Sequence, residues 1–271
     1  MTKLSTEKIG CIGIGNMGQA IISGVSEFLP SVNIFIFDKD ESKAKTVAGK
    51  YKTSIANSLE DITKKCNIIL IAVKPANVPE VLNKIKPHCA EKTIVSIAAG
   101  ITIASIEETL GKKQKIIRVM PNTPSLVNEG MAVLAANDAT DTATLEDVQT
   151  IFSKLGKAII MPEHYLDAVT GVSGSGPAYV FTFIQAMADG AVKMGLPRKE
   201  SIILAAQTVL GAAKMVLMEE KNPIELRDQV TSPGGTTIEA IHILEDHGFA
   251  GTIMSAVEAA TIKSHELGKK R

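Results

Sequence analysis

The 271-residue sequence predicts an α/β domain followed by an all-α domain. Three observations predict it. Short β-branched runs alternate with helical patterns over roughly the first 160 residues, the mark of βαβ units and a mainly parallel sheet. After Pro162 the strand signal stops and only helical spacing remains. Within that second part charge nearly vanishes: Ala168–Pro197 holds only Asp189 and Lys193, and Ser201–Met218 only Lys214. The boundary is placed at 162, giving domains 1–162 and 163–271.

The elements follow in order. Ile9–Ile14 is a short apolar run ending in glycines, with helical spacing over 16–29. Asn33–Phe37 reads as strand and Glu41–Tyr51 as a charged helix. Asn67–Val73 is continuously apolar, as a strand covered on both faces must be. Pro79–Lys86 reads as helix, Thr93–Ala98 as strand, Ile103–Leu110 as helix and Lys115–Val119 as strand. Met131–Ala136 and Ala158–Met161 are further strands, with a helix over Leu145–Leu155 between them. The second domain reads as helices over Ala178–Met194, Lys199–Met218, Pro223–Val230, Thr236–Asp246 and Ala250–Leu267, punctuated by Gly and Pro.

Composition removes several classes. Lysine and arginine total 29 against 29 acidic residues, so no global basic field calls for nucleic acid. Trp is absent and Tyr and Phe total ten, leaving a hydrophobic set of small and branched side chains. Helices apolar nearly all round must be buried nearly all round. About 110 residues cannot bury two of them alone. Interior polar residues such as Gln207 and Lys214, and the lack of flanking basic clusters, predict a subunit interface rather than a membrane span. The start, M-T-K-L-S-T-E-K-I-G, has no apolar core of a secretory signal. Three cysteines, Cys11, Cys66 and Cys89, lack C-x-x-C spacing, which predicts reduced thiols in a cytoplasmic protein and no metal site.

Gly13-Ile14-Gly15-Asn16-Met17-Gly18 follows a strand and opens a helix, the context in which G-x-G-x-x-G denotes a Rossmann dinucleotide site. Gly13 permits the turn, Gly15 the approach of the pyrophosphate, and Gly18 close helix–strand packing. Asp38, twenty residues past Gly18, stands where an acid takes ribose hydroxyls of NAD. It reads equally well as the N-cap of the next helix, and Lys39 and Lys43 are near enough to offset its charge. Ala72-Val73-Lys74-Pro75 and Ala98-Ala99-Gly100 end two further strands, where small residues leave room for a nicotinamide. Lys74 reads as a catalytic group or, more simply, as a phosphate or backbone partner. In the helical part, Val172–Pro177 and Val230–Thr237 are loops of small and hydroxyl residues before helices, suited to gripping a carboxylate or to plain N-capping.

Taken in order, G-x-G-x-M-G, A-V-K-P, A-A-G-I, M-P-N-T-P, G-S-G-P-A-Y and S-P-G-G-T-T resemble the pyrroline-5-carboxylate reductases over nearly the whole chain. The resemblance implies reduction of L-1-pyrroline-5-carboxylate to L-proline by NADPH or NADH, the last step of proline biosynthesis. It implies a Rossmann domain followed by a helical dimerisation domain, in a homodimer built into a higher homo-oligomer, with no nucleic-acid or membrane partner. It implies that Thr237 contacts the ring nitrogen and that Gly234, Gly235 and Thr236, with Ser232, hold the carboxylate. It also implies cofactor contacts at Asn57, Ala72, Lys74, Pro75 and Ala98, with Asn122 facing the same crevice and Thr170 and Glu220 near the imine. Asp38 departs from NADPH-preferring members, which often carry a small hydroxyl residue there.

The chemistry agrees. A protonated C=N bond accepts hydride readily, so the site must align and stabilise rather than supply a strong base. The five histidines are scattered over helix ends and polar faces. Two alternatives stay open. A β-hydroxyacid dehydrogenase would carry a lysine base a few residues into the long helix, where Pro177–Phe181 has none. A redox-sensing nucleotide-binding module would need an effector surface that the sequence does not supply.

Overall fold

The computed structural model describes residues 6–219 and 221–269. The chain forms two compact units, 1–174 with 259–271, and 175–258.

The first unit is built on an eight-stranded sheet. Its strands are β1 (Ile9–Ile12), β2 (Ile34–Phe37), β3 (Ser54–Ile55), β4 (Ile68–Ile71), β5 (Thr93–Ser96), β6 (Lys115–Met120), β7 (Gly130–Ala136) and β8 (Gly156–Ile160), in the order 3-2-1-4-5-6-7-8. Pairing is parallel except between β6 and β7. The helices are α1 (Asn16–Ser26), α2 (Glu41–Tyr51), α3 (Leu59–Lys65), α4 (Val78–Ile85), α5 (Ile103–Leu110), α6 (Thr142–Ser153) and the single turn α7 (Leu166–Val169). β1 and β4 are buried at every residue because helices cover both faces. One core cluster runs through Ile21, Ile34, Leu70, Val148 and Phe152, the other through Ile12, Ile62, Ile69, Val81 and Ile106.

Register positions the site. Ile12 lies opposite Phe37 and Ile71, and Ile71 opposite Ser96. The chain therefore leaves β1, β2, β4 and β5 at one level, and Gly13, Asp38, Ala72 and Ile97 share the carboxyl edge. Strand order reverses between β1 and β4, the switch point at which such sheets bind ligands.

Several elements differ from the sequence reading. β3 and α3 carry too few residues for a periodic pattern. Helix α6 begins at Thr142 rather than Leu145, because the Asp141 carboxylate accepts the Thr144 N–H at 2.8 Å and starts the helix earlier. The stretch read as a loop from Val172 is instead helical: Thr170–Gly174 forms a π-helical turn continuing α7. A Cβ on Gly174 would come within 2.5 Å of Met120 Cε, so a larger residue would require the Met120 side chain at the end of β6 to move. The compact unit consequently ends at Gly174, twelve residues after 162.

The second unit holds α8 (Gly176–Lys193), α9 (Arg198–Glu219), α10 (Pro223–Gln229), α11 (Thr236–Asp246) and the first turns of α12 (Phe249–Lys269). α8 and α9 form a hairpin whose buried positions are small: Ala188, Ser201 and Ala205. Most of its large apolar side chains are exposed, Phe181 at 65%, Leu210 at 54% and Met218 at 71% among them. Among the described residues α9 is the one helix long and apolar enough to cross a membrane.

Candidate active site

The glycine turn after β1 is shaped by contacts. Gly13 has φ +93°, and a Cβ there would lie 2.8 Å from the Ala72 carbonyl. A Cβ on Gly18 would lie 2.2 Å from the Gly13 oxygen. Both are required by the protein's own packing. A Cβ on Gly15 would meet nothing within 4 Å. That glycine opens a space instead of filling one, which is what close approach of a pyrophosphate demands. Gly15 also caps α1 without any side-chain bond, so the first-turn N–H groups stay available to an anion. The residues present fit a dinucleotide.

Asp38 resolves between its two readings. The cap of α2 is Asp40, whose Oδ1 accepts the Lys43 N–H at 3.0 Å. Asp38 turns the other way. Its Oδ2 accepts the Ile14 N–H at 2.7 Å and its Oδ1 the Asp40 N–H at 3.0 Å, while the Gly13 N–H donates to the Phe37 carbonyl at 2.8 Å. The end of β2 is thereby stapled to the glycine turn.

Two cavities flank Asp38. One of about 350 Å³ is lined by Gly13, Gly15, Ala72, Val73 and Lys74; the other, about 500 Å³, takes in Lys45, Ala56 and Asn57. Ile14 is buried behind the loop, Met17 is half-buried, and Asn16 is exposed in the first turn of α1. Lys74 is exposed, so it lacks the desolvation a lysine base would need. Pro75 opens a short 3₁₀ turn directly after it. Ala98 and Ala99 lie one strand further along the edge and line neither of these two cavities. Beneath the loop, burial pushes the Cys11 thiol up to about 12, with the Asp38 charge adding to the effect, which leaves it inert as a nucleophile.

Asn122 braces the loop after β6. Its Nδ2 donates to the Ser173 carbonyl at 3.2 Å and its Oδ1 accepts the Met131 N–H at 2.9 Å. The Thr170 hydroxyl donates to the Leu166 carbonyl at 2.8 Å, inside its own helical turn. In the second unit, Gly234 has φ +66° and the Gly235 N–H donates to the Ser232 carbonyl at 3.0 Å. This folds Ser232–Gly235 into a turn that delivers Gly235, in extended conformation, as the N-cap of α11. No side chain caps that helix. Thr236 and Thr237 occupy its first turn, and Thr237 is half-buried. Glu220 lies outside the described residues.

Sequence reading missed two polar clusters. Buried Arg118 donates to Glu163 Oε1 at 3.0 Å, and the same oxygen accepts the Ile103 N–H at 2.8 Å. Asp167 accepts the Ser264 hydroxyl at 2.6 Å and meets His265 Nδ1 at 3.2 Å, holding the last turns of α12 in the first unit. Partners 45 to 98 residues apart leave no local spacing to read.

Sheet order, switch point and glycine cradle define a Rossmann-type dinucleotide-dependent oxidoreductase with an appended helical unit. Residues 8–100 match the family model described as NADP oxidoreductase, coenzyme F420-dependent, and 163–267 match the one described as pyrroline-5-carboxylate reductase dimerisation. A pyrroline-5-carboxylate reductase of Methanosarcina acetivorans is 42% identical over 98% of this chain and 100% of its own length. The structure of such a reductase from Coxiella burnetii superposes with a TM-score of 0.93 at 33% identity, covering 97% of this chain and 98% of that one. One from Plasmodium falciparum with NADP bound gives 0.86 at 36%, covering 97% and 99%. The chain belongs to the pyrroline-5-carboxylate reductase family.

Proposed function

We propose that this chain reduces L-1-pyrroline-5-carboxylate to L-proline. The observation that carries the reading is the pair of helices that start behind a glycine, α1 behind Gly15 and α11 behind Gly235, in a chain similar end to end to such reductases. NADPH or NADH supplies the hydride when bound. Gly15 and the first-turn amides of α1 hold its pyrophosphate, Asp38 and Asn57 border its adenosine half, and Ala72–Pro75 with Ala98, Ala99 and Asn122 shape the rest of the crevice. Gly234, Gly235 and Thr236 hold the substrate carboxylate through backbone amides, with Ser232 setting the turn. The Thr237 hydroxyl orients the ring nitrogen; among the described residues it makes no other hydrogen bond. A protonated imine is already electrophilic, so alignment and charge stabilisation carry the rate.

The functional division is put at 162, a reading supported by the match of 163–267 to the dimerisation model. The helical domain is completed by a second copy, and the dimers assemble further. On this reading α9 is covered by protein rather than lipid, and the enzyme works on a small molecule in the cytoplasm. Three buried, unpaired cysteines suit that compartment.

The test sets NAD(P)H oxidation by pyrroline-5-carboxylate against NAD(P)+ reduction by a 3-hydroxy acid. Turnover is expected with the imine alone. Thr237→Ala should lower kcat by about 10- to 100-fold without changing dinucleotide affinity. Full activity in that variant refutes the role given to Thr237. Turnover of the hydroxy acid alone refutes the reaction.

A further inference from the structure

We infer that Asp38 makes this chain select NADH over NADPH, through a carboxylate fixed before any ligand arrives. The inference rests on the proposed function and adds which form of the dinucleotide it uses. Both Asp38 oxygens are engaged by main-chain donors, the Ile14 N–H at 2.7 Å and the Asp40 N–H at 3.0 Å. The carboxylate cannot swing aside without stripping two amides of their acceptor. An ionised carboxylate offers about four lone-pair sites, so capacity remains for hydroxyl donors on a ribose. Asp38 is half-buried and stands between the two cavities, at the end of β2 beside the glycine turn.

A 2′-phosphate in place of the hydroxyl brings about −1.5 to −2 charge and accepts rather than donates. Set against a fixed carboxylate it is repelled unless cations intervene. Two of the neighbouring lysines are committed. Lys39 Nζ is held by Glu80 at 3.0 Å, and the same carboxylate takes Lys84 at 2.8 Å. Lys45 is held by Glu41 at 3.5 Å. Lys43 and Lys74 line the smaller cavity, and neither has a carboxylate partner among the described residues. Two ammonium groups, Lys43 and Lys74, therefore face two aspartates, Asp38 and Asp40, which leaves no surplus of positive charge for a phosphate.

The experiment is a binding titration of the full chain with NADH and with NADPH, without substrate, following nicotinamide fluorescence. The chain has no Trp, so protein emission interferes little. The wild-type chain is expected to bind NADH at least about tenfold more tightly, since like charges brought together at a binding site are strongly disfavoured. Asp38→Asn keeps an oxygen for the Ile14 N–H and removes the charge. It should move the affinity ratio toward NADPH by about tenfold or more. Lys43→Ala should leave the NADH preference standing. Wild-type binding of NADPH as tight as or tighter than NADH overturns the inference, and if Lys43→Ala then removes that preference, Lys43 governs the pocket. An unchanged ratio in a folded Asp38→Asn protein also overturns it. If the variant does not fold, the wild-type ratio alone decides. Failure of the wild-type chain to bind either dinucleotide overturns the proposed function together with this inference, and is a separate reading from a reversed preference.

Discussion

The two units hold themselves together in different ways. The first closes a core of isoleucine, valine and leucine around its sheet, with Ile9, Ile21, Leu70 and Phe152 at 0–1% exposure. Side chains cap four of its helices: Asp40 on α2, Ser58 on α3, Thr102 on α5 and Asp141 on α6. In the second unit the buried positions are few and, Leu226 apart, small, long apolar side chains point outward, and α8 and α11 start without side-chain caps while Asn222 caps α10. One region buries its apolar groups internally. The other leaves apolar faces open, which the proposed dimer would cover, and an uncapped start of α11, where the proposed substrate carboxylate would bind. Inside the first unit α1 lacks a side-chain cap at the glycine cradle; α4 and α7 lack one too, but each continues directly from a 3₁₀ turn.

The sharpest way to break this comparison is to place a charge on each kind of exposed apolar residue. Leu210→Glu in α9 should abolish dimers in sedimentation and activity with them. A carboxylate in an apolar interface costs several kcal/mol (order of magnitude), a large share of what holds an oligomer. Val32→Glu, 70% exposed in the first unit, should change neither assembly nor activity, as most surface substitutions fall within about 0.5 kcal/mol. If Leu210→Glu stays dimeric, the apolar face of α9 is not an interface.

A second test compares ion pairs. Glu163→Ala strands Arg118, whose side chain is 7% exposed, and takes the acceptor from the Ile103 N–H. Glu163 is itself 29% exposed, so the cost is discounted from that of a fully buried pair, to about 2–3 kcal/mol. That lowers Tm by roughly 5–10 °C. Glu163→Gln should recover much of it. Asp189→Ala removes the partner of Arg198, and both are about half exposed; Tm should not move. Equal shifts in the two variants would show that burial is not what separates the units.

How much was legible from sequence follows from the same physics. β1 and β4 announce themselves because strands covered on both faces must be continuously apolar. α3 does not, although its signals are present: Ser58 reaching the Asp61 N–H at 3.0 Å, acids in the first turn and lysines in the last. Seven residues give no helical period to count. The glycine cradle was readable because each glycine has a local duty. The role of Asp38 was not, because Asp38 and Asp40 are both acids ahead of a helix and only hydrogen-bond direction separates cap from staple. The loops at Asn122 and Thr170 were placed by motif, but their hydrogen bonds to Ser173 and Leu166 depend on a helical path the sequence reading took for a loop.

The finest test separates capped from uncapped helix starts. Ser58→Ala removes the oxygen that accepts the Asp61 N–H. It should cost about 1 kcal/mol, a Tm loss of roughly 2–4 °C, with kcat/KM unchanged because α3 touches no reacting group. Gly235→Ala removes no cap bond, since α11 has none from a side chain. Its Cβ would come within 2.3 Å of Ser232 Oγ, which can rotate away, and 3.2 Å from the Ser232 carbonyl. The turn then survives with its amides displaced, which predicts KM for the imino acid up by about tenfold, roughly 1.4 kcal/mol of lost carboxylate binding, with Tm nearly constant. The two variants should thus move opposite readouts. A Gly235→Ala protein that melts early with KM intact would assign the α11 turn to folding rather than to carboxylate binding.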